Sequence, residues 1–129
     1  MKENNKINLT EKQQLVFAAL SIDGILSVNK QLLSIYGHEA SVYISYLIDT
    51  FQHCVENQIL TEDGGFSLTY EIQQEHIGMS EHQLRKCKNK LKEMQLLTTE
   101  LRGIPPKEFY FLQFDKLIDL INIPKKTKN

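Results

Sequence analysis

The chain has 129 residues, of which 41% are hydrophobic and 24% charged, and its formal net charge is −1. That length suits one domain with its own core, and the near-neutral charge argues against a non-specific polyanion binder. No apolar run approaches the ~20 residues of a membrane span, the start MKENNKINLT has no signal-peptide core, and Cys54 and Cys87 lack CxxC spacing, so a cytoplasmic protein with two buried free thiols is expected.

Residues 1–9 are polar and read as a flexible N-terminus, followed by one domain over 10–122 and a basic flexible tail over 123–129. Thr10 and Gln13 have capping-box spacing, which would open a helix. The stretch after them, LVFAALSIDGILSVN, also carries Asp23-Gly24 between two apolar runs, a hairpin signal. Helix and hairpin both stay open here, and strand–turn–strand is preferred. Asn29 then caps a short helix, KQLLSIY, that Gly37 stops.

Residues 38–57 form the clearest helix. Ala40, Tyr43, Ile44, Leu47, Phe51, Cys54 and Val55 follow helical spacing, while Val42, Tyr46 and Ile48 add apolar groups elsewhere on the cylinder. Tyr46 and Ile48 are therefore the candidates for contacts in a homodimer. Glu62-Asp63-Gly64-Gly65 is a loop, Phe66-Ser67-Leu68 a short strand, and Thr69 the cap of the next helix.

Gly78-Met79-Ser80 follows as a tight turn. Gly tolerates the left-handed backbone that closes a helix, and Ser80 with Gln83 three residues on fits a capping box. In the helix that begins there, Leu84, Cys87, Leu91 and Met94 make a core stripe. His82, Arg85, Lys86 and Asn89 lie on or near the opposite side, with Lys88 and Lys90 on the flanks. Residues 98–102 and 108–114 then pair around Gly103-Ile104-Pro105-Pro106, a tip where proline costs no ladder hydrogen bond. FDKLIDLI closes the fold as a helix with Leu117, Ile118 and Ile121 on one face. The expected core contains Leu47, Phe51, Ile77, Leu84, Leu91 and Leu97.

Helix, turn, basic helix and hairpin in that order describe an α+β fold of the winged helix-turn-helix class, with a helical core and a small antiparallel sheet. Charge is divided along the chain: residues 1–79 have net −6, residues 80–129 net +5. The polarity changes where the basic helix begins, so one side of the molecule can face phosphates. Arg and Asn can bond guanine and adenine edges, and Lys neutralises phosphate. The expected DNA-binding residues are Ser80, His82, Gln83, Arg85, Lys86, Asn89 and Lys90 of the helix, with Arg102 and Lys107 of the wing on flanking phosphate or minor groove. An exposed helix face is often merely solvated; the turn before it and the wing after it favour double-stranded DNA.

The run from Val28 to Phe114 resembles the winged-helix domain of phage and integrative-element replication proteins of low-GC Gram-positive bacteria, including N-terminal domains of replisome organisers. The resemblance rests on the long apolar helix GHEASVYISYLIDTFQH, the turn IGMS, the helix end KLKEMQLL and the wing RGIPPKEFYF. It implies DNA binding, a role in replication or maintenance of a mobile element, and contacts with replication proteins. Two departures stand out: Gln73 occupies a position where such helices carry an inward apolar residue, and the chain ends soon after the wing, without a loader-recruiting domain.

No zinc spacing joins His38, His53, Cys54, His76, His82 and Cys87, and no phosphate loop, nucleophile elbow or paired-acid motif is present. The expectation is a binding protein without metal or cofactor, not an enzyme. Alternatives to a replication role are a transcriptional regulator and a winged helix used for protein contact. Single-strand binding is disfavoured because the basic helix shows no aromatic on its outer face.

Overall fold

The computed structural model describes residues 10–21 and 26–120. Six helices and three strands occur among them: α1 (Glu11–Ser21), α2 (Lys30–Tyr36), α3 (His38–Glu56), β1 (Phe66–Ser67), α4 (Tyr70–Ile77), α5 (Glu81–Glu93), β2 (Leu97–Arg102), β3 (Lys107–Leu112) and α6 (Phe114–Leu120). The sheet is antiparallel in the order β1-β3-β2. This is the expected α+β winged helix-turn-helix: α4, a Gly turn and α5, followed by the β2–β3 hairpin as the wing.

The first element corrects the strand–turn–strand expectation. Residues 11–21 are helical because the capping box at their start is made in both directions: Thr10 N–H donates to Gln13 Oε1 at 3.0 Å, and Gln13 N–H donates to Thr10 Oγ1 at 3.2 Å. The apolar run contains only one β-branched residue, Val16, among good helix formers, so propensity agrees with the cap. The Asp23-Gly24 turn lies outside the described residues, as do the N-terminus 1–9, Ile121 and the tail 123–129.

The other caps match the sequence. Asn29 Oδ1 accepts from the backbone of Gln31 and Leu32, and Thr69 Oγ1 accepts from Ile72. Gly78 closes α4 at φ 70°, a left-handed conformation that a residue with a Cβ reaches only with strain. Ser80 and Gln83 complete the capping box of α5.

The core sits between α3, α5 and the inner face of the sheet. Tyr43, Leu47, Leu84, Leu91, Leu97 and Tyr110 are all fully or almost fully buried. Phe51 and Ile77, also expected inside, are only partly buried and pack against this cluster. Phe51 meets Phe114 with ring centroids 4.9 Å apart, which seats the start of α6. In α6, Leu117 is buried but Ile118 is largely exposed, and on α3 Val55 is exposed as well. The cysteines are free and buried, and burial raises both thiol pKa values.

Two side chains behave differently from their sequence reading. Tyr46, a candidate dimer contact, is 5% exposed, and its hydroxyl meets His76 Nδ1 at 2.7 Å. It therefore belongs to the fold, and Ile48 is partly buried against the same core. Gln73 occupies the inward position without any change of helix register. It is fully buried, its Oε1 accepting from the Tyr43 hydroxyl at 2.9 Å and its Nε2 donating to Tyr110 Oη at 3.1 Å. A buried amide is tolerated when its bonds are made, and these two tyrosines make them.

Candidate nucleic-acid interface

The helix that carries the candidate residues is rigidly placed. Its apolar stripe, Leu84, Cys87 and Leu91, is buried against the core, so its opposite face must point outward. On that face His82, Lys86 and Asn89 are exposed and make no side-chain hydrogen bond or ion pair among the described residues. They form one row along the helix. With Arg85 beside them, they offer hydrogen-bond donors and acceptors together with positive charge.

The remaining cations of α5 are less free. Arg85 pairs with Glu81 one turn earlier, its Nε 3.0 Å from the carboxylate, and its guanidinium lies 5.3 Å from the centre of the Tyr70 ring. That pair is exposed and exchangeable, so Arg85 can still reach outward. Lys90 donates to the carbonyl of Tyr36 at 3.2 Å, and Lys92 to Thr99 Oγ1 at 3.1 Å. Lys86 is the one cation of α5 that reaches solvent with no partner among the described residues.

Ser80 and Gln83 serve the helix start first. Ser80 Oγ accepts from Gln83 N–H, Gln83 Oε1 accepts from Ser80 N–H at 2.9 Å, and Gln83 Nε2 donates to Glu39 at 2.7 Å. Gln83 is thus committed at both ends of its amide. These two residues orient the helix more directly than they offer groups to a ligand.

The wing is a six-residue ladder closed by the pair Arg102↔Lys107. Its inner face carries Leu97, Tyr110 and Leu112 into the core; its outer face carries Phe109 and Phe111. Arg102 lies on that outer face, 5.5 and 5.0 Å from the centres of those two rings, and pairs with Asp63 at 2.6 Å and Glu100 at 3.1 Å. These bonds raise the guanidinium pKa and hold the Asp63 carboxyl well below its usual range. Arg102 therefore braces the wing against the loop before β1. Lys107 is exposed and has no partner among the described residues, whereas the tip beside it is apolar, with Leu101 and Ile104 exposed.

A largely buried polar cluster, which the sequence alone does not group together, connects these parts. Lys88 is 8% exposed; its Nζ donates to Tyr70 Oη at 2.6 Å and to both oxygens of Glu108 at 2.9 and 3.0 Å. Burial alone would lower the Lys88 pKa, but the bonds to Glu108 and Tyr70 raise it. Burial would likewise raise Glu108, and Lys88 outweighs it, leaving the carboxyl below its ordinary range. Glu108 Oε1 also accepts from Tyr110 Oη at 3.4 Å, which continues through Gln73 to Tyr43. Burial pushes the Tyr110 hydroxyl up to about 12, so it remains a neutral donor. One signal was legible: at 100° per residue, Lys88 lies about 40° from Leu84, at the border of the core stripe and not on the outer flank.

No family model matches the chain, and no characterised protein matches it in sequence. Two solved structures share the fold. The N-terminal domain of a DNA-binding protein aligns over 94% of this chain and 100% of its own length, with TM-score 0.55 and 14% identity. The protein of a Rep–DNA complex aligns over 92% of this chain and 99% of its own length, with TM-score 0.58 and 15% identity. Both likenesses run across nearly the whole chain. Among the described residues, no helix is long and apolar enough to cross a membrane.

Proposed function

We propose that this chain binds double-stranded DNA with sequence preference, α5 entering the major groove and the wing lying on the flanking backbone. The observation that carries this reading is the exposed row His82, Arg85, Lys86 and Asn89 on a capped helix whose other face is locked in the core. Asn89 and Arg85 carry the groups for bidentate base contacts, and Lys86 the charge for phosphate. The protein acts as a binding module and not as an enzyme. Its role is replication initiation or maintenance of a mobile element; the likeness to a protein seen in a Rep–DNA complex supports replication, and the resemblance of the IGMS turn and RGIPP wing supports the mobile-element setting.

Arg85→Ala and Lys86→Ala separate the two kinds of contact. Arg85→Ala should weaken a selected duplex by about 1–3 kcal/mol and relax its sequence preference. Lys86→Ala should weaken all duplexes alike and reduce the salt slope by about one. Normal affinity in both variants would reject this face. Two-fold pairing on the duplex would double the phosphate contacts; light scattering with and without duplex tests it, and a monomer in both conditions rejects it.

The apolar wing tip favours a second reading, contact with another protein through Leu101 and Ile104. Leu101→Ser with Ile104→Ser would then abolish partner binding while leaving duplex affinity unchanged.

A further inference from the structure

The wing and α5 are joined by more than their shared core. Glu108 stands two residues beyond the wing turn, opposite Leu101, so it belongs to the distal half of the hairpin. Lys88 reaches it from the middle of α5, and all three Nζ donors are used: one on Tyr70 Oη and two on the Glu108 carboxylate. The ring of Tyr70 also lies 4.9 Å from Lys88 Nζ and 5.3 Å from the Arg85 guanidinium. One contact thus links the wing, α4 and the base of the reading face.

Stability alone is a weak reason for such a pair. A buried ion pair commonly does no better than apolar groups of the same volume, because two charges must be desolvated. What it supplies is direction, since three fixed hydrogen bonds allow one arrangement of hairpin on helix. The other brace, Arg102 with Asp63 and Glu100, ties the wing to the loop before β1 and does not involve α5.

We propose that Lys88, clasped by Tyr70 and Glu108, is a positioning residue of the duplex interface. It sets the wing relative to α5, so that Lys107 and Arg85 engage the same duplex at once, and it touches no DNA itself. This rests on the duplex-binding reading above. A fixed spacing between wing and helix favours the sequence whose groove geometry matches it, so the effect falls on specific binding more than on non-specific binding.

The test uses fluorescence anisotropy with two labelled duplexes, one selected from a random pool by the wild-type protein and one a scramble of it. Glu108→Gln should weaken the selected duplex about tenfold and the scramble less than about twofold. Its salt slope should be unchanged, and Lys107→Ala should lose most of its effect in that background. If the single variant does not fold, the volume-matched pair Lys88→Met with Glu108→Leu removes the same contact without leaving a charge unpaired. Additive losses with Lys107→Ala would overturn the proposal. So would tighter binding with a salt slope steeper by about one, because Lys88 would then be a phosphate ligand that Glu108 restrains. A wild-type protein that prefers no duplex removes the duplex reading together with this one, whereas specific binding with additive losses removes this one alone.

Discussion

Gln73→Leu should destabilise the protein by about 2 kcal/mol, although it replaces a buried amide with an apolar residue of similar volume. Leucine relieves the desolvation of the amide, but it removes the acceptor of the Tyr43 hydroxyl and a donor to Tyr110. Tyr43 is fully buried, its hydroxyl donates to Gln73 at 2.9 Å, and burial together with the neighbouring Tyr110 hydroxyl raises its pKa, so without Gln73 it can neither ionise nor reach water and has only Tyr110 to turn to. A stranded donor of this kind costs about 1–3 kcal/mol. Tyr110 loses less, about 1 kcal/mol, because its hydroxyl keeps Glu108 at 3.4 Å. The gain from burying leucine offsets part of both losses. Tyr43→Phe in the same chain removes the stranded hydroxyl, so the double variant should lie within about 1 kcal/mol of wild type. Urea titrations followed by circular dichroism, with equal slopes for all variants, measure these differences. A Gln73→Leu protein as stable as wild type would refute the reasoning, as would strictly additive losses in the double variant.

Ser80→Ala removes the side-chain acceptor at the start of α5 and should cost about 1 kcal/mol in the same titration, with Thr restoring most of it. Acid should weaken the fold through Glu108. Its carboxyl titrates below its ordinary range in the folded state, so its contribution is complete above the unfolded carboxylate range and is lost as pH falls through the lowered folded value. The stability gap between wild type and Lys88→Met should therefore narrow as pH drops below about 4; a gap constant from pH 7 to pH 3 would show that Glu108 draws nothing from Lys88.

Local rules written in adjacent residues determined most of the architecture. The caps Asn29, Thr69 and Ser80, the left-handed Gly78, the Leu84–Cys87–Leu91 stripe and the strand-prone FYFL each act within a few positions, so they could be read without knowing the fold. The N-terminal segment shows where such reading divides: Thr10 and Gln13 announced a helix, Asp23-Gly24 announced a turn, and an apolar run of ambiguous period could not choose between them. The outward row His82, Lys86 and Asn89 was legible because a helix with one buried face has only one face to offer. The ties of the other candidates were not, since Gln83 finds Glu39 across 44 positions and Arg102 finds Asp63 across 39. Tyr46 and Gln73 are the clearest cases of tertiary decision. Tyr46 looked like surplus apolar girth until His76 closed over its hydroxyl, and Gln73 looked misplaced until two tyrosines from α3 and β3 met it. A polar side chain is buried or exposed according to the partners that reach it, and partners distant in sequence are brought together only by the fold.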